Sequence, residues 1–515
     1  MSDRSILDAI KSTENQINTV WILLSAAFVF FMQSGSALMC VGNVQKKNQQ
    51  SMLIMKLYEV SVGVLGFFMI GYGIGFGEVS TFIGTNGNYY LSIGFEQLPS
   101  DNYLLFVFQV TFSIASTTMI SGMMAERSKL PQQIVFSFFQ QSFIYSVVVA
   151  WVWGGGWLYQ RGFHDFAGGA CIYLLGGTCG LVGSIMVGPR MNRFKKKQVN
   201  CNQSNNQQNP QITIAQSLNQ IHNQRKIRYN NIDFYSGQAN RVLESVKQKY
   251  RSSFEEWVLS LKITLGPSCP TYVVVGTFIT WVCWLFFNAG TTLSLQVPRT
   301  NGPSIIMFNT MLSSSISGII VAIFHPLIMR KYSKVNQFDV IQYCNGVFAG
   351  LVGITAGCDA VQSWGALSIG AGSGIFFIIG CLVLEKLQID DPVDAVPSQV
   401  FAGFWGVVAV GIFDHSKGLV SNSSSKGYYF AWQICGCVVI MGWSGAISII
   451  YFYLVKKLKL LRVHPLVEII GLDRSYFGGL RNKDIKQIKK IFQSSIMIEQ
   501  TQVKEEILQP NIAIQ

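Results

Sequence analysis

Eleven apolar stretches of membrane-spanning length dominate this chain and restrict it to one broad architecture. They run at about 18–42, 55–77, 103–124, 132–152, 166–189, 267–290, 304–329, 339–357, 364–384, 396–413 and 428–455. At a rise of ~1.5 Å per residue, such lengths suit a hydrocarbon core of ~30 Å. In lipid, backbone N–H and C=O groups must be satisfied within the segment, so these runs fold as helices. Only 13% of the 515 residues are charged and half are hydrophobic, against about a quarter charged in soluble domains. The expected fold class is an all-α polytopic membrane protein with eleven transmembrane helices. The odd number puts the termini on opposite sides.

Orientation follows from the basic residues between the runs, which collect on the cytoplasmic side. Lys46, Lys47 and Lys56 flank the first connection, Arg127 and Lys129 the third, a dense set from Arg190 to Arg251 the fifth, and Arg330, Lys331 and Lys334 the seventh. Lys386 stands alone in the ninth, and Lys456, Lys457 and Lys459 follow the last run. The even connections hold scattered bases such as Arg161, Arg299, Lys417 and Lys426. The N-terminus is then outside and the C-terminus inside. This distribution accounts for the net charge of +13 without a nucleic-acid partner. Asn422-Ser423-Ser424 is a candidate glycosylation sequon in an outside loop.

Two segments break the membrane pattern. The expected organisation is an extracellular N-terminus over 1–17, a first transmembrane repeat over 18–190, a cytoplasmic Asn/Gln-rich basic insertion over 191–256, a second repeat with the eleventh helix over 257–455, and a cytoplasmic tail over 456–515. No basic segment precedes an apolar signal with a cleavage site, so no cleaved signal peptide is expected. The basic start of the insertion reads as a topology signal or a contact with lipid headgroups. The stretch Asn482 to Lys504 reads either as an amphipathic regulatory helix or as a frayed tail. The eleven cysteines lack metal-binding spacing and lie mostly in apolar runs, as small core residues rather than a disulfide framework.

The most informative stretch is 153–190, WGGGWLYQRGFHDFAGGACIYLLGGTCGLVGSIMVGPR. It leads a Trp-Gly loop past one acid, Asp165, into a small-residue helix without a charge before Arg190, which suggests a pore. The pattern recurs: Asp165 precedes Tyr173 by the same interval as Asp391 precedes Gln399, in DDPVDAVPSQVFAGFWG. Five runs separate the two places, so the halves would run through the membrane in opposite senses, with the site at their interface. Gly and Ala at both helix heads allow close packing.

The chain resembles the ammonium transporter (Amt/Rh) family, on the Amt side, over about 20–480 apart from the insertion. The residues that carry the resemblance are FMQSGSALMCVGNVQKKN (31–48), GMMAERSK (122–129), WVWGGGWLYQRGFHDFAGG (151–169), GTFITWVCWLFFNAGTT (276–292), NGVFAGLVGITAGCD (345–359) and DDPVDAV (390–396). The resemblance implies an eleven-helix, N-out, inverted-repeat fold (five plus five helices and a final one) assembled as a homotrimer, with one pore per subunit. Its substrate would be ammonium or ammonia. Membrane lipid surrounds it, and a cytoplasmic regulatory protein is a candidate partner.

A pore for a small hydrated cation faces a steep desolvation cost unless the ion is paired or sheds its proton. Aromatic faces with a hydroxyl acceptor answer this through cation–π attraction and a hydrogen bond. By the resemblance, Phe112, Trp153 and Thr291 match the outer recruitment site, Thr291 keeping the hydroxyl of the usual serine with an added methyl. Asp165 matches the buried acid behind that site, expected to cap and orient backbone. Phe287 with Phe112 matches the stacked pair that gates the lumen. Most of the 36 phenylalanines are core packing, and motif position alone sets these two apart.

The resemblance departs at the lumen. Two facing histidines usually stand where this chain has Tyr173 and Gln399. His164, His222, His325, His415 and His464 all lie elsewhere. Imidazole exchanges protons near neutral pH, whereas tyrosine titrates near pH ~10 and glutamine not at all. A hydrogen bond from the Tyr173 hydroxyl to the Gln399 amide is expected to keep the pair polar. Three outcomes stay open: passage without a histidine relay, less selective conduction, or a lumen blocked at Tyr173.

The tail residues Glu468-Ile469-Ile470-Gly471-Leu472-Asp473 match the family's E-x-x-G-L-D pattern, which packs under neighbouring subunits, while the following His-Gly-Glu is replaced by Phe477-Gly478-Gly479. The functional expectation is transport, with a non-conducting ammonium sensor or structural subunit as the alternative. No metal cluster, cofactor motif or catalytic nucleophile is found, so neither a cofactor nor an enzymatic activity is expected. Plasma membrane is the expected location, with an internal organelle as the alternative.

Overall fold

The structure, a computed structural model, describes residues 3–98, 101–191, 193–194, 265–298, 302–333 and 338–478. Most of the expected insertion, and the tail beyond 478 with Asn482 to Lys504, lie outside the described residues. Residues Met1–Arg190 and Thr264–Gly471 form one compact unit, to which every contact below belongs.

Among the described residues the unit is helical, without strands beyond isolated bridges. Nine helices are long and apolar enough to cross a membrane: α1 (Asp3–Asn43), α2 (Lys46–Phe76), α3 (Asn102–Met123), α4 (Leu130–Gln160), α5 (Gly169–Val187), α6 (Pro270–Gly290), α7 (Pro303–Arg330), α9 (Ser363–Leu387) and α11 (Lys426–Lys457). Two shorter apolar helices, α8 (Val340–Thr355) and α10 (Pro397–Phe413), complete the bundle. Leu, Ile and Phe side chains remain exposed along α1, α2, α7 and α11, as expected of helices that face lipid. Helix α1 begins well before position 18, because no proline or glycine interrupts the chain until Gly35.

Small residues bring the helix axes together. Helices α1 and α6 cross at Gly35 and Gly276, where an added methyl would sit 2.8 Å from the Gly276 oxygen and 2.5 Å from the Gly35 oxygen respectively. Helices α5 and α10 meet at Gly177, where a methyl would lie 2.8 Å from the Gln399 Cβ. Such contacts replace the hydrophobic drive that lipid does not supply.

Several of the basic residues read as topology signals also bond within the bundle. Arg127 and Arg190 are buried. Arg190 grips Asp390 through Nε and Nη2 at 2.8 and 2.9 Å and Glu126 through Nη1 at 2.7 Å. Arg127 donates to the carbonyls of Gly188, Met123 and Asp390. Glu126 also accepts from the Gln45 N–H and the Asn48 amide. Lys47 caps the Glu468 and Ile469 carbonyls at 2.9 and 2.8 Å, at the end of a short helix, α12 (Pro465–Ile470), and Arg462 pairs with Glu468 at 3.0 Å. Burying so many charges is tolerated only when each has a partner. The start of the tail pattern is therefore held within the chain.

Candidate functional site

Helices α5 and α10 open alike. Each begins with a wide turn, Gly169–Leu174 and Pro397–Phe401, and such turns cluster at functional sites because their i→i+5 geometry displaces the backbone. An acid holds each turn. The Asp165 carboxylate accepts from the N–H groups of Gly168, Ala170 and Cys171 at 3.1, 2.9 and 2.8 Å. Asp391 accepts from those of Val393 and Val396 at 3.2 and 2.6 Å. Gly168 has φ +97°, a left-handed conformation that glycine adopts without steric cost. The wide turns carry Tyr173 and Gln399, the two residues singled out by their matched spacing from an acid.

Between the loop before α5 and the bundle centre the aromatic rings form a continuous column. Trp153 is half-buried and donates its indole N–H to the Asp165 carbonyl at 2.7 Å. Phe112 meets it edge-on at 6.0 Å, then stacks on Phe287 at 4.4 Å with planes 28° apart. Tyr173 lies 5.8 Å from Phe287 and stacks on Trp284 at 4.7 Å. Phe112, Phe287 and Trp284 are fully buried. Thr291 sits one helical turn beyond Phe287 and donates its hydroxyl hydrogen to the Phe287 carbonyl at 3.1 Å. Its oxygen lone pairs remain for a donor such as a cation N–H.

The structure thus brings together Trp153, Asp165, Phe112, Phe287 and Tyr173, with Thr291 at the end of the helix that carries Phe287. The expected hydrogen bond between Tyr173 and Gln399 does not form. The Tyr173 hydroxyl and the Gln399 carbonyl oxygen are both buried without a partner, because the tyrosine ring is held flat against Trp284. Sequence reasoning passed over Trp284. Its signal was present: it precedes Phe287 by three residues on the same face of α6, and its N–H is fixed by the Thr355 hydroxyl at 2.9 Å.

A membrane-embedded helical bundle with two similarly opened helices and an aromatic column running inward defines a membrane transporter or channel. The chain belongs to the ammonium transporter family, whose description, Ammonium Transporter Family, matches residues 20–208 and 251–481. It is similar to the ammonium transporter Amt2 of Archaeoglobus fulgidus, 29% identical over 90% of this chain and 87% of that one. It is similar to ammonium transporter 3 of Dictyostelium discoideum, 28% identical over 91% and 94% of the two chains. Among solved structures it resembles a protein titled Sensor Amt Protein, at TM-score 0.71 and 26% identity, covering 90% of this chain and 98% of that one.

Proposed function

We propose that this protein moves ammonium or ammonia across a membrane through a passage within each subunit. The supporting observation is the column Trp153–Phe112–Phe287–Tyr173–Trp284, which joins a half-buried indole to the bundle centre. In this reading Trp153, Phe112 and Thr291 recruit the cation, Asp165 holds the backbone around them, and Phe112 with Phe287 forms the gate. Tyr173 and Gln399 stand where the family usually has two histidines, so the lumen works without an imidazole relay.

The accompanying architecture is eleven spanning helices, α8 and α10 included, in two inverted repeats of five and a final helix, N-out and C-in, assembled as a homotrimer in the plasma membrane. Residues 1–17 lie outside, 191–256 form a cytoplasmic insertion, and 456–515 form a cytoplasmic tail open to a regulatory protein.

A second reading is an ammonium sensor that binds without conducting. Two observations favour it: the Tyr173 ring lies directly beyond the Phe287 gate, and the chain resembles the protein titled Sensor Amt Protein. Ammonium uptake with simultaneous current recording in liposomes separates the two. Saturable uptake that is lost in Trp153→Leu supports transport, and current with it means net charge moves. No flux until Tyr173→His and Gln399→His are combined supports the sensor.

A further inference from the structure

The residues between α4 and α5 form a strap bonded to α11 and to the end of α8 with the turn that follows it. His164 exchanges two hydrogen bonds with the Gln433 side chain on α11, its N–H donating at 3.4 Å and its carbonyl accepting at 3.1 Å. Phe166 and Ala167 donate their N–H groups to the Ala356 and Thr355 carbonyls at the end of α8, at 2.9 and 3.2 Å. Asp165 supplies the carbonyl that receives the Trp153 indole. One side chain closes this strap: His164 Nε2 lies 3.0 Å from Asp359 Oδ1, in the turn after α8, with the imidazole 29% and the carboxylate 11% exposed.

We propose that His164 and Asp359 are positioning residues for the recruitment site, their ion pair locking the strap that orients Trp153 and so making cation capture depend on the external proton concentration. The carbonyl that receives the Trp153 indole N–H sits one residue from His164, between the His164–Asp359 contact on one side and the Phe166 and Ala167 bonds to the end of α8 on the other. Loss of the pair leaves the strap held by its backbone bonds, the Gln433 amide and the Asp165 carboxylate, and a small displacement of the carbonyl reorients the indole face offered to a cation.

The surroundings favour a charged imidazole. Burial acts to lower the His164 pKa, and the carboxylates of Asp359, Asp414 and Asp165 more than offset it, so the value lies above the ordinary one. From the segment after α10, Asp414 is itself bonded to Tyr429 of α11 at 3.0 Å, and His415 is bound to the Ala360 carbonyl at 2.7 Å. Just after the end of α4, Arg161 lies over the Trp432 ring at 5.6 Å. A folded-state pKa raised above ~6.5 means the pair is strongest below that pH and weakens as pH rises through the raised value.

The inference rests on the transport reading, and the test separates the two. Methylammonium uptake is measured in liposomes across external pH from about 5.5 to 8, where the substrate stays cationic, for the unaltered protein, His164→Gln, Asp359→Asn and the double variant. The apparent KM of the unaltered protein is expected to rise about three- to tenfold with pH. Each variant is expected to show the high value at every pH, with the double no worse than either single. Retention of the pH-dependent KM in His164→Gln or Asp359→Asn overturns the proposal. So does a loss of thermal stability in the variants with KM unmoved, since the pair would then be structural only. If the unaltered protein binds methylammonium without moving it, the transport reading fails, and the same comparison made on Kd decides the positioning role. Neither binding nor uptake overturns both.

Discussion

Tyr173 lies on Trp284 with ring centroids 4.7 Å apart and planes 19° from parallel, while its hydroxyl meets no partner. The ring is thus placed by stacking, and the hydroxyl contributes no bond that holds it there. Stacked aromatic pairs contribute ~0.5–1.5 kcal/mol beyond the area they bury, whereas an unpaired buried hydroxyl costs about 1–3 kcal/mol.

Tyr173→Phe is therefore expected to leave thermal stability unchanged or raised, by up to about 1 kcal/mol, and Trp284→Leu to lower it by about 3 kcal/mol. Thermal unfolding of the purified protein checks both. A clear loss of stability in Tyr173→Phe would mean that the hydroxyl is bonded after all.

How far the site could be read beforehand differs residue by residue. Trp153, Phe112 and Phe287 carry motif positions, and Asp165 announces itself as a lone acid before a small-residue helix. The shared interval from Asp165 to Tyr173 and from Asp391 to Gln399 correctly marks two helices with similar heads. The missing hydrogen bond was not legible, because spacing along the chain does not reveal that Trp284 from another helix captures the tyrosine ring. The burial of Arg127 and Arg190 was not legible for a related reason. A basic residue between apolar runs reads the same whether it faces water or a buried carboxylate, and Glu126 and Asp390 come from connections far apart in sequence.

Asp165 and Asp391 do the same work to different extents, three backbone N–H bonds against two. Replacing either carboxylate by an amide sets an NH₂ group against N–H donors. Asp165→Asn is expected to cost about 3 kcal/mol and Asp391→Asn about half of that, with uptake lost in the first because the Trp153 support moves. Denaturant unfolding in detergent gives the stabilities, and equal costs for the two would count against this division of roles.

Arg190 is bonded to two buried carboxylates, whereas Arg462 is one-third exposed and bonded to Glu468. Arg190→Leu removes the guanidinium bonded to both buried carboxylates, Glu126 and Asp390, and is expected to cost ~3–5 kcal/mol, more than Arg462→Leu, whose guanidinium is partly exposed and bonded to one. Burial alone would raise the Asp390 pKa, and Arg127 and Arg190 hold it well below the ordinary carboxylate range. That stabilisation is present above a pH of ~3.9 and is lost as pH falls toward the depressed value. Acid unfolding of the unaltered protein should therefore begin at a pH that Arg190→Leu shifts upward.

Gly177 marks the place where the two similarly opened helices touch. A methyl there would stand 2.8 Å from the Gln399 Cβ and 3.1 Å from the Val400 nitrogen, and neither neighbour is the free end of a flexible chain. Helix α5 would have to shift from α10 by several tenths of an ångström, which costs about 1–3 kcal/mol in a packed interior. The same shift separates Tyr173 from Gln399. Gly177→Ala is therefore expected to lower thermal stability and to change uptake more than Gly445→Ala does, since a methyl at Gly445 on α11 meets only the Thr178 Cγ2 at 3.6 Å, an ordinary contact. Indistinguishable uptake in the two variants would show that the crossing of α5 and α10 does not control the passage.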